Sequence, residues 1–163
     1  MRNSSRTAIG IIIGFLTLGW PDGSWADSPI ASDMHDRVDA ALSAQAGGVQ
    51  TGWNEITWDS GATVLTLAPT FKDDGGIARA AVGGCDSGKF CAYSQSGYLG
   101  NKITYSTCTS NHSVAALGGT VRSVVNLRTS GNVKAYSGRS VLATVQAGRG
   151  SNVVGSTEYL ACS

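Results

Sequence analysis

The sequence is short of the residues that carry chemistry. It has two histidines, His35 and His112, and nucleophilic catalysis needs a histidine base beside a serine or cysteine, with an acid to orient it. His35 lies in an acidic, helix-forming stretch and His112 in the polar run Ser110-Asn111-His112-Ser113, so neither reads as that base. Beyond residue 76 the only carboxylates are Asp86 and Glu158, a poor supply for the carboxyl pair of a glycosidase. No glycine loop is followed by lysine at phosphate-binding spacing. Five residues separate Cys85 from Cys91 and sixteen separate Cys91 from Cys108, which is not zinc-ligand spacing, and neither histidine belongs to a ligand pair. Together these absences predict a protein that is not an enzyme and holds no metal and no cofactor.

Long apolar runs are also missing, save one. Arg2 and Arg6 precede Ala8 to Leu18, an apolar stretch of about a dozen residues against the roughly 20 that a membrane span needs. Pro21, Asp22 and Gly23 break it, and Ser24 and Ala26 supply the small side chains of a cleavage site. The pattern predicts a signal peptide over residues 1–26, cleaved after Ala26, rather than an uncleaved anchor. The mature chain is then expected outside the cell, with no membrane contact after cleavage. No cysteine precedes Cys85; Cys85, Cys91, Cys108 and Cys162 make an even number, which in an oxidising compartment reads as two disulfides with three possible pairings.

The near-neutral total conceals a division. Residues 27–76 carry eight acids and two bases, net −6, and residues 77–163 carry eight bases and two acids, net +6. The basic half could meet anionic cell-wall polymers or an acidic protein. Its Lys and Arg are scattered rather than clustered among aromatic residues, which argues against nucleic acid as a partner.

Apolar Met34, Val38, Ala41 and Leu42 recur at three- and four-residue steps between Ser32 and Ala46. That spacing predicts an amphipathic helix capped by Ser32 or Asp33 and stopped at Gly47-Gly48. Val49 to Trp58, a turn at Asp59-Ser60-Gly61, and Ala62 to Ala68 read as a β-hairpin, with Asn54, Ile56 and Trp58 on one face and Trp53, Glu55 and Thr57 on the other. Both tryptophans are expected to pack against the helix. Residues 27–68 thus form a helix plus hairpin unit, and residues 69–84 lose periodicity like a linker. A unit this small is marginal alone and should dock on the domain C-terminal to it.

From 85 to 163 no helical pattern appears. Short β-rich runs at 89–94, 102–107, 120–127, 132–137, 140–145 and 157–162, punctuated by Gly, Ser and Asn, predict a mainly β sandwich. Ala92-Tyr93-Ser94 recurs as Ala135-Tyr136-Ser137 forty-three residues later. That period is the length of one four-stranded Greek-key unit, so two copies are expected.

The run Cys85-Asp86-Ser87-Gly88-Lys89-Phe90-Cys91-Ala92-Tyr93-Ser94-Gln95-Ser96-Gly97-Tyr98-Leu99-Gly100 resembles the opening of the secreted actinobacterial metalloproteinase inhibitors grouped as peptidase inhibitor family thirty-six. The resemblance covers residues 85–162 and implies a βγ-crystallin-like fold. Tyr93, Tyr98 and Gly100 match the crystallin signature, in which an aromatic ring covers a folded hairpin and glycine takes a conformation that a β-carbon disfavours. Ser123 is similar to the serine that closes that hairpin, and Tyr136 marks the second copy, which lacks a second aromatic residue. The resemblance also implies pairing of Cys85 with Cys91, leaving Cys108 for Cys162.

Two departures bear on function. The family's protease-facing loop is held by a second disulfide within one loop, and no close cysteine pair follows Cys91, so no inhibitory loop can be carried over. Many microbial crystallin domains bind calcium through an Asn/Asp-rich signature; the corresponding stretches here, 118–123 and 151–156, lack acids, so calcium binding is expected to be absent or weak. The resemblance implies a secreted proteinase inhibitor, acting on an extracellular protease of the metalloproteinase class. The departures favour the alternative, a non-inhibitory binding or protective module associated with the cell envelope.

Overall fold

The computed structural model describes residues 29–73, 76–79, 84–118 and 121–163. The signal-peptide stretch 1–26 lies outside them, as do Gly119 and Thr120 of the first calcium-signature stretch.

Helix α1 (Pro29–Ala44) starts before the expected caps Ser32 and Asp33. Proline suits a first helical position, because its missing N–H would be unpaired there anyway and its φ is already helical. Gly47, at φ 80°, turns the chain away beyond the helix end. Met34, Val38 and Ala41 form the buried stripe of the helix.

Three strands follow where one hairpin was expected. Strands β1 (Val49–Gly52) and β2 (Glu55–Trp58) are themselves a hairpin, with Gly52 opposite Glu55. Strand β3 (Thr63–Thr66) then pairs with β2. The turn at Trp53-Asn54 leaves Trp53 61% exposed, whereas Trp58 is buried and its indole N–H donates to the Gln45 carbonyl at 3.1 Å. The expectation that both tryptophans pack against the helix therefore holds for Trp58 and is corrected for Trp53: a residue at a hairpin tip has no neighbouring strand beneath it. Stretch 69–84 carries a short antiparallel hairpin, β4 (Thr70–Asp73) with β5 (Gly76–Arg79).

The remaining eight strands fall into two series of four. In the first, β6 (Phe90–Gln95) and β7 (Leu99–Tyr105) form a hairpin, β8 (His112–Ser113) leaves for the other sheet, and β9 (Ser123–Asn126) returns to pair with β6. In the second, β10 (Asn132–Ser137) pairs with β11 (Ser140–Gln146), β12 (Arg149–Asn152) leaves, and β13 (Tyr159–Cys162) returns to β10. Each departing strand joins the sheet of the other series, β12 beside β9 and β8 beside β13. The outcome is a seven-stranded sheet ordered β1-β2-β3-β7-β6-β9-β12 facing a four-stranded sheet ordered β11-β10-β13-β8. Two Greek keys that exchange their third strands make the βγ-crystallin-type sandwich that the resemblance implied.

The internal echo at Ala92 and Ala135 is carried into hydrogen bonds. The Tyr93 carbonyl accepts from the Arg122 amide and the Tyr136 carbonyl from the Glu158 amide, both at 2.8 Å. Likewise Lys89 accepts from Leu127 and Asn132 from Ser163, both at 2.9 Å. Between the sheets Phe90, Ala92, Ile103 and Val124 meet Val133, Ala135, Val145 and Leu160, all buried in one cluster that also takes in Met34, Val38 and Trp58. Pairing of β3 with β7 makes the N-terminal strands an extension of the larger sheet. Burying large apolar side chains at about 1.5–3 kcal/mol each is the main force holding this arrangement.

Candidate functional site: a loop held by a disulfide and a buried histidine

Four of the five residues read as marking the fold, Tyr93, Tyr98, Gly100 and Ser123, lie together in the first Greek key. The Ser123 hydroxyl, fully buried, donates to the Gln95 carbonyl at 2.7 Å and accepts from the Tyr98 amide at 3.0 Å. Tyr98, at φ 64°, and Gly100, at φ 77°, bend the β6–β7 hairpin over, and a Cβ on Gly100 would collide with the Ser94 hydroxyl. The Tyr98 ring meets Tyr93 edge-on at 6.0 Å. Tyr136 lies apart from this group, stacked flat on Tyr159 at 4.9 Å in the other sheet. Tyr159 stands across from Tyr136 as Ser123 stands across from Tyr93, so an aromatic pair replaces the serine clasp in the second key.

The disulfides are Cys85–Cys91 and Cys108–Cys162. The first ties the chain entering the domain to β6. Beside it, Lys89 donates to the Asp86 carboxylate at 3.0 Å, which holds that carboxyl below its usual range. Lys102 reaches the Gly84 carbonyl, also at 3.0 Å.

The second disulfide fixes something different. Residues 106–111, Ser-Thr-Cys-Thr-Ser-Asn, connect β7 to β8, and all six are exposed. An exposed six-residue connection ordinarily moves; this one is anchored at each stage. At its start, the Ser106 amide and hydroxyl both donate to the Ala62 carbonyl, at 2.9 and 3.0 Å. In the middle, Cys108 is bonded to Cys162, and the Cys162 amide donates to the Thr109 carbonyl at 2.8 Å. The Arg128 guanidinium lies against both sulfurs of that bridge.

At its end stands His112, only 6% exposed. Its Nε2 accepts from the Thr109 amide at 2.9 Å, and the Thr109 hydroxyl lies 3.0 Å from the same nitrogen. The ring is held by Phe90, edge-on at 5.0 Å, and by Tyr105 at 4.7 Å. Tyr105 in turn donates its hydroxyl to the Ser113 carbonyl at 2.5 Å, and burial raises its pKa out of the physiological range. Since an amide N–H can only donate, the neutral imidazole carries its proton on Nδ1. Burial lowers the His112 pKa, the Arg128 cation lowers it further, and Asp59 opposes them.

His112 is therefore a strut under a loop. His35 is exposed on α1. Glu158 lies against the Ser137 hydroxyl at 3.5 Å, and among the described residues no group of three His, Cys, Asp or Glu side chains could hold a metal. The sequence offered two signs of the strutted loop, a cysteine and a histidine four residues apart in a polar run, and the resemblance supplied Cys162 as the partner of Cys108; the other distant partners that give them meaning, Ala62, Phe90 and Arg128, it did not offer.

A two-key sandwich carrying one exposed loop on a disulfide and a buried ring has the build of a rigid binding scaffold. Residues 78–144 match the family model described as Peptidase inhibitor family I36, the family that the Cys85 to Gly100 run resembled. The matched region spans the first Greek key, the 106–111 loop and most of the first hairpin of the second key, so the likeness to peptidase inhibitors rests on that part of the chain. No curated protein and no solved structure gives a significant match.

Proposed function

We propose that the protein is a secreted proteinase inhibitor acting on extracellular metalloproteinases, and that residues 106–111 are the segment it offers to the protease cleft. One observation carries the choice of segment: every residue of the loop is exposed while its start, middle and end are each fixed to the sandwich. A loop already held in one shape loses little conformational entropy on binding, which is where a small inhibitor gains affinity. It also resists rearrangement if the protease attacks it.

Two disulfides suit an oxidising compartment, and among the described residues no helix is long and apolar enough to cross a membrane. The disulfides support secretion through the 1–26 leader. Pairing of β3 with β7 supports retention of residues 27–68 in the mature protein, since their loss would strip the larger sheet of three strands.

The test is a titration of the mature protein against a thermolysin-like metalloproteinase, a subtilisin-like serine protease and a papain-like cysteine protease. Inhibition of the first at micromolar concentration, weakened when Thr107 and Ser110 are changed together to bulky Arg, supports the proposal. Absence of inhibition of all three, with retention of the protein on cell-wall material, replaces it with the reading of a non-inhibitory envelope-binding module.

A further inference from the structure

The strut beneath the loop depends on the protonation of one atom. Nε2 of His112 is the acceptor for the Thr109 amide, 2.9 Å away, and the Thr109 hydroxyl lies 3.0 Å off the same atom. A proton added to Nε2 turns that acceptor into a donor and sets two N–H groups against each other. The ring has little room to turn away, because Phe90 from β6 and Tyr105 from β7 hold it on two sides. The charged groups that face it are the Arg128 cation, from the β9–β10 connection, and Asp59, from the turn before β3. Arg128 also lies against the Cys108–Cys162 bridge, so a positive charge on His112 would sit near a fixed positive charge. Tyr105, whose hydroxyl pKa burial raises, stays protonated throughout.

We propose that His112 is the positioning residue of the 106–111 loop, holding it through unprotonated Nε2, and that acid releases the loop and weakens its hold on a protease. The first half stands on the geometry alone; the second rests on the reading of this loop as the protease contact. Release occurs below the ordinary histidine range, since burial and Arg128 both favour the neutral ring. The inhibitor is then firm in neutral surroundings and loosened in acid ones.

The experiment is amide hydrogen exchange on the mature protein across about pH 7.5 to about pH 4.5, with each rate divided by its intrinsic rate at that pH. In the unmodified protein, protection of the Thr109 amide is expected to fall by up to about tenfold per pH unit as pH drops from the ordinary histidine range toward the ring's lowered midpoint, and to level off below it, while Ala92 and Ile103 in the central strands stay protected. His112→Gln places an amide oxygen, which does not titrate, near the position of Nε2, so its Thr109 protection should be flat with pH. Arg128→Gln removes the opposing charge and should move the midpoint upward. Flat protection in the unmodified protein overturns the proposal. An acid response preserved in His112→Gln does so equally. Should the glutamine variant fail to fold, an Arg128→Gln midpoint that does not rise is decisive against it. Inhibition measured on the same samples separates the two halves: acid exposure of Thr109 without loss of inhibition leaves His112 as the strut and removes the loop from the protease contact.

Discussion

The Tyr98 hydroxyl fills the space over Gly150, 2.6 Å from where a Cβ on that glycine would stand. Tyr98 belongs to the folded hairpin of the first Greek key and Gly150 to the third strand of the second, so the pair marks where the two keys lock. Beside it the Gly97 amide donates to the Asn152 side-chain oxygen at 3.0 Å. Gly150→Ala should displace the tyrosine ring, and because that ring is 40% exposed and can swing aside, stability should fall by no more than about 1 kcal/mol, the low end for an added methyl. In a Tyr98→Ala background the same change should cost far less, and urea denaturation of the four proteins measures the coupling.

Ser123 holds the hairpin from below with two hydrogen bonds to backbone groups and no exposed surface. Ser123→Ala leaves the Gln95 carbonyl and the Tyr98 amide without that partner, and should destabilise the protein by about 2–3 kcal/mol. Chemical denaturation reads the loss. A change of below about 0.5 kcal/mol would contradict the clasp.

The two disulfides close chain segments of very different length, with sequence separations of 6 and 54. By loop-closure entropy the longer is worth about 4 kcal/mol and the shorter about 2 kcal/mol. Paired Cys→Ala changes at 108 and 162 should therefore lower the melting temperature by more than those at 85 and 91. They should also open the 106–111 loop to limited proteolysis, which the other pair should not.

Thr157 is a stabilising opportunity. It is 2% exposed, and its hydroxyl has no hydrogen-bond partner. It occupies the place in the second key that Val121 occupies in the first, two residues before Tyr159 as Val121 is two before Ser123. Thr157→Val keeps the shape and removes an unsatisfied hydroxyl, so stability should rise by about 1 kcal/mol. A loss of stability would show that the hydroxyl is satisfied in solution.

Strands whose side chains alternate between core and surface are legible in the sequence: the β-rich run 132–137 has the bounds of β10, and five further runs match strands within a few residues. The two that escape it, His112–Ser113 and Arg149–Asn152, are the third strands of the keys. One is two residues long, and the other is Arg-Gly-Ser-Asn at a sheet edge with no buried residue, so neither carries a hydrophobic period. The β1–β2 hairpin is hidden for a related reason: β1 is exposed almost throughout, and Trp53 at the turn looks like a strand residue by type. In the site, the Tyr93, Tyr98, Gly100 and Ser123 group is readable because a local backbone shape demands those residue types. The strutted loop is not, because spacing alone leaves three cysteine pairings open and says nothing of what packs around His112.

If residues 106–111 are the surface that a protease covers, hydrogen exchange of the inhibitor alone and in saturating complex with the protease it inhibits best reads that contact most directly. It should show new protection concentrated at Thr107 to Asn111, with the turns at 138–139 and 147–148 unchanged. Protection at those turns with the 106–111 loop still exchanging freely would contradict the assignment of the loop to the protease cleft.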